Sequence, residues 1–305
     1  MKEWINKYIK YLRIEKNSSP HTLTSYRTDL EQFLSFCSSH FDKTLDEVDI
    51  HHIDRLTIRL WLGALSEDGM ARSTISRKVA SIRSFFKYSF VRGAIQKNPA
   101  HLLIVPKKEK KLPKTVQVEE IERMMNLAET GTPIGNQDRA ILELFYATGM
   151  RLSELTGLNI NQLDLNDKQV TVIGKGNKQR IIPLGNQAIQ ACKHHLETRS
   201  ELYGKRTDSD ARKALFIAPG GQRMYPRRTQ SIVKNYLTKV SEVTQKSPHV
   251  LRHSFATHML DAGADIRIIK EFLGHADLSA TQIYTHTSVD RLKKVYSKAH
   301  PRAEK

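Results

Sequence analysis

The sequence predicts a mainly α protein with a small antiparallel β-sheet, divided into two domains. Three observations carry this reading. Apolar residues recur at helical spacing through most of the chain. Two strand-like runs, Gln169–Ile173 and Gln179–Pro183, are joined by the glycine-rich turn Gly174-Lys175-Gly176-Asn177. The stretch Pro106-Lys-Lys-Glu-Lys-Lys-Leu-Pro113 is charged, proline-bracketed and free of apolar periodicity, so it reads as a linker. The domains are then 1–105 and 115–305, with 106–114 between them.

The first domain reads as four helices. Trp4, Tyr8, Ile9, Tyr11 and Leu12 form the first apolar stripe. Ser19-Pro20 opens the second, with Ser as cap and Pro in the first turn, and its stripe is Leu23, Tyr26, Leu30, Phe33, Leu34 and Cys37. The third runs from about Ile53 to Leu65. The fourth starts near Ser73, carries Ile75, Val79, Ile82, Phe85 and Phe86, and ends near Gly93. In the second domain Val118–Ala128 and Asp138–Tyr146 read as helices. Ala147-Thr148-Gly149 breaks the pattern and Arg151 opens another helix. After the hairpin, helices are expected at 187–203, 228–243, 249–262, 266–272, 279–284 and 289–298.

Composition narrows the function. The chain has 305 residues, 39% apolar and 27% charged, which is a globular balance. Its formal charge of +17 points to a polyanionic partner, most simply nucleic acid. A membrane span is not expected, because no apolar run approaches about 18 residues. Met1-Lys-Glu-Trp-Ile-Asn-Lys lacks the apolar core of a signal peptide. Cys37 and Cys192 are the two cysteines, which excludes a disulfide framework or a Cys-rich zinc module. The expectation is a reduced, cytoplasmic protein.

Several polar residues sit at element ends. Arg151 opens a helix, Lys175 tips the hairpin, and His249 and Arg252 stand three apart after Pro248. His275 follows Gly274, and Tyr284 sits in Gln282-Ile-Tyr-Thr-His286. Each alone has an ordinary explanation as an ion-pair partner, a solvated turn or a packing residue. Together they supply the parts of one phosphoryl transfer. Two guanidiniums can hold the non-bridging oxygens of a phosphodiester as charge develops there. A Tyr hydroxyl, with an ordinary pKa of about 10, can attack if a neutral His takes its proton. A Lys ammonium can protonate the leaving oxygen.

A metal centre fits less well. His249 and His253 are four apart, but a zinc-protease helix needs Glu after the first His and Val250 stands there. Clustered carboxylates for a two-metal nuclease are absent from these motifs. There is no Gly-x-x-x-x-Gly-Lys-Ser/Thr loop either, so neither metal, ATP nor any other cofactor is expected.

Ala147-Thr-Gly-Met-Arg151-Leu-Ser-Glu-Leu, Gly174-Lys175-Gly176-Asn-Lys, Pro248-His249-Val-Leu-Arg252-His-Ser-Phe-Ala-Thr-His, Leu273-Gly274-His275 and Thr281-Gln-Ile-Tyr284-Thr-His resemble the tyrosine site-specific recombinases of the phage-integrase type. Within that family the chain is most similar to the Xer recombinases. The resemblance implies a two-domain DNA clamp: a four-helix core-binding (SAM-like) domain plus an α+β catalytic domain. It also implies roles. Tyr284 would be the nucleophile that forms a 3′-phosphotyrosine link. Arg151 and Arg252 would clamp the scissile phosphate, His249 would act as base, Lys175 as acid toward the 5′-oxygen, and His275 would bond the phosphate. Glu154 would support the site.

The implied partners are a double-stranded DNA recombination site, a related recombinase in a homo- or heterotetramer on two sites, and a DNA translocase as activator. Arg72, Arg77 and Lys78 on the fourth helix, and Arg223, Arg227 and Arg228, are candidates for facing DNA. Val289, Leu292, Val295 and Tyr296 form an apolar stripe on the last helix, expected either to dock on a neighbouring protomer or to pack on its own domain. Resolution of chromosome or plasmid dimers is the expected role. Integration of a mobile element, type IB topoisomerase-like relaxation and a DNA-binding role without catalysis are the alternatives.

Overall fold

The computed structural model of the protein describes residues 1–103, 115–174, 177–243, 246–274 and 286–303, the side chains of 286–290 excepted. The stretch 106–114 and the helix expected at 279–284 lie outside the described residues. The chain forms two compact units, Met1–Lys111 and Leu112–Lys305.

The first unit holds α1 (Lys2–Ile14), α2 (Pro20–Phe41), α3 (Arg55–Glu67) and α4 (Arg72–Val91). Local chemistry sets the boundaries. Ser19 Oγ accepts from the Thr22 N–H at 3.2 Å, and Asp54 accepts from the Thr57 N–H at 2.8 Å. An aromatic core closes the bundle: Phe33 meets Trp61 at 5.0 Å between ring centroids, and Tyr8 meets Phe85 edge-on at 5.6 Å.

Lys78 corrects the sequence reading. It is 2% exposed, its ammonium bonds Asp29 at 3.1 Å and also Gln32, and it lies 5.5 Å over the Trp61 ring. Asp29 is itself fully buried. A buried carboxylate needs a counter-charge, and the two α4 residues that reach it, Lys78 and Arg77, are both among those expected to face DNA. The basic character of α4 is therefore partly internal wiring.

The second unit holds α5 (Val118–Asn126), α6 (Pro133–Thr148), α7 (Leu152–Thr156), β1 (Leu163–Asp164), β2 (Gln169–Ile173), β3 (Gln179–Pro183), α8 (Asn186–Thr198), α9 (Ser209–Lys213), α10 (Pro226–Val240), α11 (Pro248–Asp261), α12 (Ile266–Leu273) and α13 (His286–Ala299). The strands form one antiparallel sheet in the order β1-β2-β3, with Val170 opposite Ile182 and Val172 opposite Arg180. The two-residue β1 and the five-residue α9 escape a periodicity reading because neither spans enough residues to show one. α6 starts at Pro133, five residues before the sequence suggests, because Thr132 caps it by accepting from the Gly135 N–H at 3.1 Å. From Ala140 to Thr148 every α6 residue is buried, so this helix is the spine of the unit. No helix among the described residues is long and apolar enough to cross a membrane.

The last helix packs on its own unit. Leu292, Tyr296 and Ala299 join the main core, and Val295 packs against it; the Val289 side chain lies outside the described residues. Tyr296 stacks on His300 at 4.6 Å, and Arg302 makes two bonds to buried Glu143, at 2.6 and 3.0 Å. The stripe is therefore occupied within the chain, and the docking of these side chains on a neighbour is not what this structure shows. A buried carboxylate again explains the local sequence: Glu143 draws Arg302 and Arg139 to it.

Candidate active site

α6 ends at Gly149, whose φ of +56° turns the chain out of the helix. A side chain there would also put its Cβ 2.4 Å from Phe255 Cδ1 and 3.0 Å from Leu273 Cδ2. The turn places Arg151 at the start of α7. Glu154, one turn on, accepts the Arg151 backbone N–H at 2.7 Å and its Nη1 at 2.9 Å.

α11 brings the second arginine. Ser247 stands at its N-cap position and Pro248 occupies its first turn. His249 lies exposed in that turn, and Arg252 follows on the same face three residues later. Arg252 donates through Nη1 to the Gly149 carbonyl at 2.6 Å and through Nη2 to the Leu273 carbonyl at 2.8 Å. Burial, and then repulsion from Arg151, pulls its pKa down to about 10, so it stays charged at neutral pH.

A third arginine, Arg180 on β3, completes the group. It is 5% exposed and grips Glu154 with both terminal nitrogens, Nη1 to Oε1 at 3.0 Å and Nη2 to Oε2 at 2.7 Å. Its Nε donates to the Phe272 carbonyl at 2.8 Å. Burial acts to raise the Glu154 pKa, but Arg180 and then Arg151 outweigh it and hold the carboxyl at about 2.

The end of α12 ties these together. Its last carbonyls have no partner within the helix and carry the negative end of its dipole. Phe272, Leu273 and Gly274 offer three successive carbonyls to Arg180, Arg252 and Arg151, the last at 3.2 Å. One helix terminus and one carboxylate thus gather three guanidiniums that would otherwise repel each other. Arg151 and Arg252 remain partly accessible. Each Nη nitrogen carries two hydrogens, so the two arginines keep donors for an anion such as a phosphodiester. Lys175, His275 and Tyr284 lie outside the described residues. In the sequence they follow Gly174, follow Gly274 and precede α13, and the first two of these neighbours line the arginine group.

Arg180 was not singled out in the sequence. A signal existed: β3 alternates, so Arg180 shares a face with buried Ile182 and lies opposite buried Val172. An arginine in register with an apolar face must have an internal partner.

The expected DNA-facing residues divide. Arg72 is exposed in the first turn of α4, and Arg77 is exposed as well, with its guanidinium tied to Asp29 and the Ser25 carbonyl. Lys78 is buried, as described. Arg223 is held within the chain by Asp210 at 2.7 Å, Asn159 at 2.7 Å and the Leu158 carbonyl at 3.2 Å. Arg227 is exposed on α10, and Arg228 beside it is half-buried next to Asp138.

Comparison with known proteins follows the same lines. A family model described as the phage integrase family matches residues 114–291, and one described as the phage integrase N-terminal SAM-like domain matches residues 5–93. The chain is 40% identical to the tyrosine recombinase XerC of Pelotomaculum thermopropionicum, over 98% of each protein. It is 39% identical to that of Pseudomonas syringae pv. tomato, over 100% of this chain and 98% of the other. Among solved structures, XerH recombinase in a post-cleavage complex with a palindromic difH substrate matches with a TM-score of 0.67 at 22% identity, over 96% of this chain and 84% of that one. A Tn1549 transposon integrase in complex with a circular-intermediate DNA matches at 0.69 and 19%, over 95% and 99%. At these identities the likeness to the solved structures is one of fold.

Proposed function

This chain belongs to the phage integrase family, and we propose that it is a site-specific tyrosine recombinase that cuts and rejoins duplex DNA. The observation that supports this most directly is the arginine pair: Arg151 and Arg252, fixed by the end of one helix, with donors left over for a scissile phosphate. In the proposed step Tyr284 Oη attacks phosphorus and the bond to the 5′-oxygen breaks. The tyrosine proton passes to His249, and Lys175 protonates the departing oxygen. The products are a 3′-phosphotyrosine and a 5′-hydroxyl. Attack by a 5′-hydroxyl from another strand reverses the chemistry. The ester energy is kept in the phosphotyrosine, so the cycle needs no ATP. Arg151, Arg252 and His275 stabilise charge on the phosphate throughout, and Glu154 supports Arg151.

The curated relatives named XerC match this chain end to end, which favours the Xer role over a mobile-element integrase. On this reading the protein acts in the cytoplasm, resolving chromosome or plasmid dimers. It binds a recombination site and works in a tetramer of one or two related recombinases on two sites, under a DNA translocase. The experiment is covalent trapping. The protein is incubated with nicked duplexes from its source genome, without Mg²⁺ or ATP, and then denatured. An adduct on 3′ ends that Tyr284→Phe abolishes is the expected result, and the trapped fragments identify the site. DNA binding with no adduct, even with a paralogous recombinase added, refutes the enzyme reading.

A further inference from the structure

Arg180 occupies a position where stability alone does not call for an arginine. It faces inward with Val172 and Ile182, both fully buried. A well-packed apolar side chain there, with an apolar partner, costs no ion desolvation, and such replacements of buried pairs are often neutral or stabilising. Yet the surroundings keep room for it. A Cβ on Gly274 would stand 3.0 Å from Arg180 Nη1 and 3.3 Å from its Cζ, and one on Gly174 would stand 3.6 Å from the same Nη1.

Charge explains the placement. Glu154 is the carboxylate that touches Arg151. If Arg151 were its only partner, the two would form a closed, neutral pair, and the guanidinium would be turned away from a phosphate. Arg180 binds both Glu154 oxygens and so balances that carboxylate itself. Arg151 keeps the orientation Glu154 provides and retains its charge. The same guanidinium also holds the Phe272 carbonyl, in the helix end whose next two carbonyls anchor Arg252 and Arg151. One buried side chain is thus two hydrogen bonds away from each clamp arginine.

We propose that Arg180 is a positioning residue for strand cleavage: it neutralises Glu154 and fixes the end of α12, so that Arg151 and Arg252 meet the scissile phosphate correctly placed and fully charged. This rests on the recombinase reading above. It is distinct from the clamp roles, since Arg180 is sealed from solvent by the residues it organises.

The test uses the full chain and the duplex identified by covalent trapping, in two forms: the natural phosphodiester, and a methylphosphonate at the scissile position, which carries no negative charge. Arg180→Met is expected to slow adduct formation on the phosphodiester about 100-fold, the scale on which small misplacements of catalytic groups act, while DNA binding holds within a few-fold. Relative to wild type on the same substrate, the loss on methylphosphonate shrinks to less than about tenfold, because that substrate starts uncharged and makes a smaller demand on clamp charge. Adding Glu154→Gln to Arg180→Met recovers about tenfold on the phosphodiester, because it removes the unbalanced carboxylate. Arg180→Lys, which restores charge without the fork, falls between.

Equal losses on both substrates with no recovery in the double variant would mean that Arg180 only holds the fold. Wild-type rates in a folded Arg180→Met would overturn the proposal outright. If that variant melts early, Arg180→Lys and the double variant carry the same comparison. Absence of any adduct from wild type would instead bring down the recombinase reading, and the proposal with it.

Discussion

Replacing Gly149 by alanine isolates the close packing that sets the two clamp arginines. Two costs add. The backbone sits at φ +56°, where an L side chain costs roughly 1–2 kcal/mol. The new Cβ would lie 2.4 Å from Phe255 Cδ1 and 3.0 Å from Leu273 Cδ2, with Phe255 fully buried. Overpacking of that kind costs about 1–3 kcal/mol, so Gly149→Ala should lose about 2–5 kcal/mol in all. Gly263→Ala is the control: its φ is +85°, but nothing lies within 4 Å of the added atom, so only the backbone cost applies. The chain supplies its own reporters. Cys192 is buried in the second unit and Cys37 in the first, so thiol labelling along a urea series reads each unit separately. The Cys192 midpoint should fall further in Gly149→Ala than in Gly263→Ala, while the Cys37 midpoint stays put. Cleavage should fall as well, because the Gly149 carbonyl anchors Arg252. Equal Cys192 midpoints in the two variants would refute the clash and, with it, the account of why glycine stands before Arg151.

Three further outcomes are expected. On acidification from pH 6.5 to 4 the second unit should lose stability. Burial holds His300 down to about 3 and His195 to about 4, so unfolding takes up two protons there, while Asp138, which burial raises to about 6, releases one; His258, lowered by burial, and Glu271, raised by burial, act in opposite senses. The net of about one proton is about 1.4 kcal/mol per pH unit. Below pH 4.5 the depressed Glu154 adds to the loss. Thermal melting by circular dichroism checks this: His300→Gln should flatten the profile, and a flat wild-type profile would contradict it. Lys78→Ala should weaken the first unit by about 1–3 kcal/mol, because buried Asp29 loses one of its two partners and keeps Arg77, without changing the salt slope of DNA binding, whereas Arg227→Ala should lower that slope by about one at unchanged stability. Either result reversed in a salt titration would exchange their roles. Lys175→Ala should slow cleavage far more on a normal 5′-oxygen than on a 5′-bridging thiolate, which leaves without a proton; equal losses would remove Lys175 as the acid.

Most of the described helices, the paired strands β2 and β3, and their order were legible in the sequence because they rest on local rules. Ser19 and Asp54 cap the helices that follow them, and apolar stripes of period 3.6 mark the buried faces. Of the reactive set expected from the sequence, the structure brings Arg151 and Arg252 together at element ends, while Lys175, His275 and Tyr284 lie outside the described residues. Short elements such as β1 and α9 left too little pattern to read.

What the tertiary structure decided is where each charge goes. Lys78 and Arg227 are both basic residues on amphipathic helices, and no periodicity tells that one serves buried Asp29 while the other meets solvent. Arg223 and Arg302 likewise answer to Asp210 and Glu143, partners 13 and 159 residues away. The gathering of Arg151, Arg180 and Arg252 on three successive carbonyls at the end of α12 joins residues 123, 92 and 21 positions apart in sequence. Sequence determines which groups are present and which local turns they sit on. A buried charge takes its partner from whatever the packed chain brings within about 3 Å, and that distance exists only after folding.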